Sequence, residues 1–253
     1  GVTIGVPPVD SITRGFRKGE LVVLSARPSV GKTAFALNML RSLSVDRAQN
    51  VLFFSLEMGV ASLGERLVSM TSKVPVQLIL DQCMTSDQLS RYDQGVTRVA
   101  SSQFWVDERS DSSVAQIRAR SRRLKAAYGL DMVIIDYLQL VKPADKNQPR
   151  EQQIATMSRE FKGLAKDLDI PVVLLAQLNR ESEKSARAPR LSDLRESGAI
   201  EQDADIVLFL HRPDPEQRAN LQCIVAKNRC GATGDTGLHF TAATQRFSEI
   251  TNQ

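Results

Sequence analysis

Three cysteines in 253 residues, Cys83, Cys223 and Cys230, are an odd number without CxxC spacing, so the sequence offers neither a disulfide framework nor a zinc-ligand set. That usage fits a reducing, cytoplasmic compartment. The two histidines, His211 and His239, are not at metal-ligand spacing. Aromatic residues make up 5% of the chain, which gives no sign of a base-stacking platform; Phe104 and Trp105 fall in a short apolar segment expected in the core. No apolar run approaches the ~18 residues of a membrane-spanning helix, so no membrane partner is expected. The chain begins at Gly1 rather than Met and has no basic-then-apolar leader, which reads as a trimmed fragment. A large charge excess is also missing: the net charge of +4 is compatible with a polyanionic partner but too mild to demonstrate one.

What is present is a repeated alternation. Short β-branched runs at 21–25, 51–55, 132–138, 171–177 and 205–210 read as strands buried on both faces, and helical patterns at 32–43, 61–72, 86–100, 114–128 and 151–168 lie between them. This predicts an α/β fold with a mostly parallel sheet flanked by helices. From Leu221 onwards strands follow one another without helices, which predicts an antiparallel C-terminal extension. Residues 142–150, and 179–192 running on into RESGAIEQDAD, read as loops. We expect an entry segment over 1–18 and one large domain over 19–253.

Directly after the first strand comes Ala26-Arg27-Pro28-Ser29-Val30-Gly31-Lys32-Thr33-Ala34, followed by an amphipathic helix. In such a loop, backbone N–H groups from Ser29 to Ala34 surround a phosphate, Lys32 bridges phosphate oxygens and the Thr33 hydroxyl binds Mg²⁺. The strict GxxxxGK[ST] pattern is missed at Ala26, and a bare GKT would be weak evidence. Its position between a buried strand and a helix is what makes it specific. Three polar residues end buried strands, where ligands of open α/β sheets sit. Asp136 is the second Mg²⁺ ligand, Glu57 the general base that polarises an attacking water, and Gln177 a sensor of the terminal phosphate. A lone acid past a strand is more often an ordinary exposed acid; the combination points to catalysis.

The segments ARPSVGKTAFALNM, FSLEM, IDYLQL, AQLNR, LRESGAIEQDADIV and AKNRCG, in this order, resemble the C-terminal motor domain of DnaB-type hexameric replicative helicases, and the resemblance covers about Gly19 to Gly231. It implies a RecA-like P-loop NTPase that hydrolyses ATP with Mg²⁺, moves 5′ to 3′ on single-stranded DNA and works as a homohexameric ring. In the full-length protein, primase and a helicase loader are implied partners. The resemblance assigns Arg195, Glu196 and Gly198 to a DNA-gripping loop. It assigns Lys227 and Arg229 to a basic pair reaching the neighbouring subunit's ATP site, with Arg229 as the arginine finger. Family members also carry Ala at the Ala26 position.

Two other classes share this core: a recombinase that assembles a filament on single-stranded DNA, and a nucleotide-binding scaffold with little turnover. The basic helix with Arg118, Arg120, Arg122, Arg123 and Lys125 invites a nucleic-acid reading, but a charge run on a helix is usually a solvated or subunit-facing surface, and that is the expectation here.

Overall fold

The computed structural model describes residues 1–178, 187–194 and 198–250. Its frame is a nine-stranded sheet: β1 (Leu21–Ala26), β2 (Val51–Ser55), β3 (Phe104–Asp107), β4 (Met132–Asp136), β5 (Val172–Gln177), β6 (Ile206–His211), β7 (Asn220–Asn228), β8 (Gly234–Thr241) and β9 (Arg246–Glu249). The order across the sheet is β3-β2-β4-β5-β1-β6-β7-β8-β9. Strands β3 to β6 of that order pair in parallel, and β6 to β9 pair antiparallel. The parallel sheet and its antiparallel extension are thus as the sequence pattern predicts.

Strands β1, β2, β4 and β6 are buried along their whole length, because helices cover both faces. One face packs Val22, Leu24, Phe53 and Ile134 against α1 (Pro7–Thr13), α2 (Lys32–Leu40) and α3 (Val60–Ser72). The other packs Val23, Phe54, Ile135 and Leu174 against α6 (Val114–Tyr128), α7 (Arg150–Leu168) and α8 (Gly198–Asp203). In α7 the residues Ile154, Met157, Phe161, Leu164 and Leu168 form one buried stripe at helical spacing. Full burial of each such side chain stabilises by about 1.5–3 kcal/mol. The short α4 (Val76–Leu80) and the amphipathic α5 (Ser86–Ala100) follow α3 on the outside.

Several boundaries differ from the sequence reading. The strand expected over 132–138 stops at Asp136, and Leu138–Leu140 form a 3-10 turn. Helix α2 runs on through a π turn, Arg41–Val45. Part of the expected loop after β5 is helical, as α8, because Ile200 is drawn fully into the core beside α7. Phe104 and Trp105 are only half-buried, since β3 is an edge strand with one neighbour. Residues 1–18 pack into the body: Ile4, Val6, Val9 and Phe16 belong to the same core cluster as α2. No helix among the described residues is long and apolar enough to cross a membrane.

Candidate active site

Parallel pairing puts the ends of β1, β5, β4 and β2 along one edge, with Ala26 beside Gln177 and Asp136 beside Ser55. The loop from Arg27 to Gly31 leaves this edge and turns sharply into α2. Gly31 takes φ of 112°, a region closed to other residues without strain, and a Cβ there would meet Phe247 Cζ at 3.3 Å. Ser29 is also left-handed, at φ 61°. Val30 is buried and anchors the loop. The N-terminus of α2 has no side-chain cap among the described residues, unlike α5 and α6, which both carry reciprocal capping boxes. Its first N–H groups therefore point unclaimed into a cleft of about 400 Å³, the geometry of an anion site.

Lys32 enters this cleft with most of its solvent removed. Burial lowers its pKa, against the opposing pull of the Asp136 and Glu57 carboxylates, and its ammonium lies 4.4 Å from the centre of the Tyr137 ring. Asp136 is buried beside it. Burial raises its pKa, opposed by Lys32 and by the Thr33 hydroxyl, which donates to Oδ2 at 2.6 Å. Its other oxygen, Oδ1, is buried without a hydrogen-bond partner. A hydroxyl oxygen and a carboxylate with an unused acceptor suit a hard divalent cation, and Mg²⁺ commonly completes its shell with water and phosphate oxygens. The residues present therefore fit such an ion.

Glu57 follows β2, is exposed, and lines the same cleft as Lys32 and Thr33. Its turn is closed by Ser55, whose hydroxyl donates to the Met58 carbonyl at 2.6 Å. Gln177 also lines the cleft, and its N–H donates to Gln139 Oε1 at 3.3 Å. The cleft thus brings together Ser29, Gly31, Lys32, Thr33, Ala34, Glu57 and Gln177, with Asp136 directly beneath Thr33. Sequence reasoning missed three lining residues. Arg66 stands between Leu63 and Leu67 of the buried stripe of α3, and a cation on that side of an amphipathic helix was the available signal. Phe240 and Gln245 come from the antiparallel extension, remote in sequence, and no local pattern announces them.

Lys227 and Arg229 are not in this cleft. They end β7, which runs antiparallel, so they lie at the opposite edge of the sheet, where the Arg229 N–H donates to the Asp205 carbonyl at 2.9 Å. Asp205 itself sits at the level of Leu21, five residues and about 16 Å of strand from Ala26. Here the Lys227 ammonium donates to the Glu201 carbonyl and the Arg229 guanidinium to the Gln202 carbonyl, both in α8. The Asp205 carboxylate, buried, accepts from Lys162 at 2.6 Å and from Leu21 N–H at 2.8 Å. Burial, then the neighbouring Arg229, lowers the Lys227 pKa.

Gly198 is the exposed first residue of α8, and a Cβ there would meet nothing within 4 Å among the described residues. Arg195 and Glu196 lie outside the described residues. In the basic helix α6, Arg118 donates to the Glu160 carbonyl, Arg120 pairs with Asp107, Arg122 with Asp167, and Lys125 donates to the Leu168 carbonyl. Most of that charge fastens α6 to β3 and α7.

Comparison with known proteins gives one consistent result. The family model for the DnaB-like helicase C terminal domain matches residues 1–249. The replicative DNA helicase DnaC of Bacillus subtilis (strain 168) is 37% identical over 257 residues, covering 99% of this chain and 57% of that protein. The replicative DNA helicase DnaB of Geobacillus stearothermophilus is likewise 37% identical, again over 99% of this chain and 57% of that protein. The chain thus spans a little over half the length of these relatives. Among solved structures, a DnaB-like replicative helicase, solved for its interactions with primase, superposes with a TM-score of 0.92 at 35% identity, covering 99% of this chain and 62% of that one. An isolated ATPase domain superposes with a TM-score of 0.93 at 34% identity, covering 99% and 92%.

Proposed function

Since this chain belongs to the DnaB-like helicase C-terminal domain family, we propose that it is the motor of a replicative DNA helicase that hydrolyses ATP between subunits of a homohexameric ring and draws single-stranded DNA through it. The observation that carries the reading is the division of parts. The phosphate loop, Asp136, Glu57 and Gln177 gather at one edge of the sheet, while Lys227 and Arg229 lie at the other, beyond reach of their own cleft. A pair so placed can serve an adjacent copy.

In this reading backbone N–H groups of the loop and of α2 hold the phosphates, supplied by Ser29, Gly31 and Ala34 and by Val30, whose N–H donates to the Arg27 carbonyl at 3.4 Å and would exchange that long bond for phosphate. Lys32, stripped of solvent, acts on phosphate oxygens at low local dielectric, where its charge counts for more than in water. Thr33 and Asp136 would hold Mg²⁺, which when bound neutralises charge on the phosphates. Glu57 orients and deprotonates the attacking water; its exposure keeps water within reach. Arg66 adds a second positive group to the same cleft. Gln177 contacts the terminal phosphate, and its strand leads to the segment carrying Arg195, Glu196 and Gly198, which grips DNA phosphates. Phe240 and Gln245 border the nucleoside end. The full-length protein would engage primase and a helicase loader.

The test is steady-state ATP hydrolysis with and without single-stranded DNA across protein concentration. Stimulation by DNA with a steep concentration dependence is expected, because the site is completed by a neighbour. Flat, DNA-independent turnover would overturn the reading.

A further inference from the structure

The contacts of Lys227 and Arg229 with α8 depend on an irregularity in β7. Leu208 pairs with Val225 but Val207 pairs with Lys227, so Ala226 is an extra residue in the strand. Cys223 and Val225 face the core on the α2 side of the sheet, and regular alternation would send Lys227 the same way. The bulge reverses this: Ala226 packs on the α7 side and Lys227 pairs with Val207 of that face. Only on that side can the two cations meet the Glu201 and Gln202 carbonyls. These carbonyls belong to the last turn of α8, where intrahelical partners run out and the helix end carries partial negative charge.

From this arrangement we propose that Lys227 and Arg229 are the C-terminal cap of α8 as well as the intersubunit basic pair, so that engaging a neighbour's nucleotide uncaps the helix that begins at Gly198. The proposal rests on the function argued above and adds a route of regulation to it. A phosphate competes well for these donors, because it offers a full negative charge and several acceptor oxygens where each helix carbonyl offers a partial one, and the Asp205 carboxylate holds Arg229 only at 3.7 Å. Nucleotide in one subunit's cleft then loosens α8 in the next, at the helix joined directly to residues 195–197. Lys227 and Arg229 are in this sense positioning residues for the DNA-gripping segment, acting through α8.

Hydrogen exchange of the amides of residues 201–204, measured on the full-length ring, tests this. In the wild type, Mg²⁺ with AMP-PNP should speed exchange in α8 about two- to five-fold, the range a cation contributes at a helix end. The double variant Lys227→Met and Arg229→Met should exchange fast without nucleotide and not respond to it. Lys227→Met alone, which keeps half of the cap, should fall between and guards against a variant that fails to fold. Exchange in wild-type α8 that ignores AMP-PNP, while the double variant has lost hydrolysis, would overturn the proposal and leave the proposed function standing. Wild-type hydrolysis by the double variant would overturn both.

Discussion

The chain treats two of its helix ends in opposite ways. The N-terminus of α2 is left without a side-chain cap and opens on a cleft, whereas the C-terminus of α8 is covered by two cations brought in by β7. The bare end is built into the protomer: its aspartate is buried and its lysine half-buried, and burial moves both pKa values against ionisation. The covered end is on the surface, with Arg229 about half exposed. In the proposed function one edge of the sheet is therefore a receptor whose cost is met during folding, while the other holds a donor that would change partners.

Substitutions at the two edges put that contrast at risk. The largest effect belongs to Arg229→Ala, for which loss of an arginine finger should reduce ATP turnover about 10³- to 10⁵-fold, and Glu57→Gln should cost about 10²- to 10⁴-fold. Mixing the two variants should restore part of the activity, because some interfaces then combine an intact cleft with an intact finger. A mixture as inactive as its components would mean that both residues serve the same chain.

Stability should separate the edges in the other direction. Asp205→Ala leaves Lys162 nearly buried without its partner and should lower unfolding free energy by about 3–5 kcal/mol in urea titration. Glu57→Gln, at an exposed position, should stay within about 0.5 kcal/mol. Equal effects would show that Asp205 is not the knot tying β1, α7 and β7 together.

The smallest effect is expected from Arg122→Ala. Its pair with Asp167 is about half exposed and should contribute no more than about 1 kcal/mol, with no change in affinity for single-stranded DNA. A weaker affinity with a shallower salt dependence would return a nucleic-acid role to α6.

The receptor edge was largely legible in the sequence because its parts are local. A buried strand ending in a polar residue places that residue at the edge, and this logic locates Asp136, Glu57 and Gln177 without knowledge of the strand order, while the loop between β1 and α2 locates Lys32. What the pattern could not supply is that β5 lies between β1 and β4, which is what puts Gln177 beside the phosphate loop. Phe240 and Gln245 were invisible because long-range packing of the antiparallel hairpin brings them in. Helix α8 was hidden for a different reason: six residues are too few to show a periodicity, and its helicity depends on burying Ile200. Lys227 and Arg229 came from resemblance alone, since a basic strand end has no local signature of its partner.

The bulge at Ala226 acts on space as a shift of reading frame acts on a message. Before it, odd-numbered residues of β7 face one layer of helices; after it, the same parity faces the other. Deleting that one alanine would remove the bulge with it and leave Lys227 opposite Val207 on the same layer, whereas a strand that kept the alanine but paired without the bulge would turn Lys227 toward α2. Any alignment of this strand across related chains must therefore weigh a gap between Cys223 and Lys227 together with the bulge, because a chain that lacks both addresses the same layer as a chain that has both.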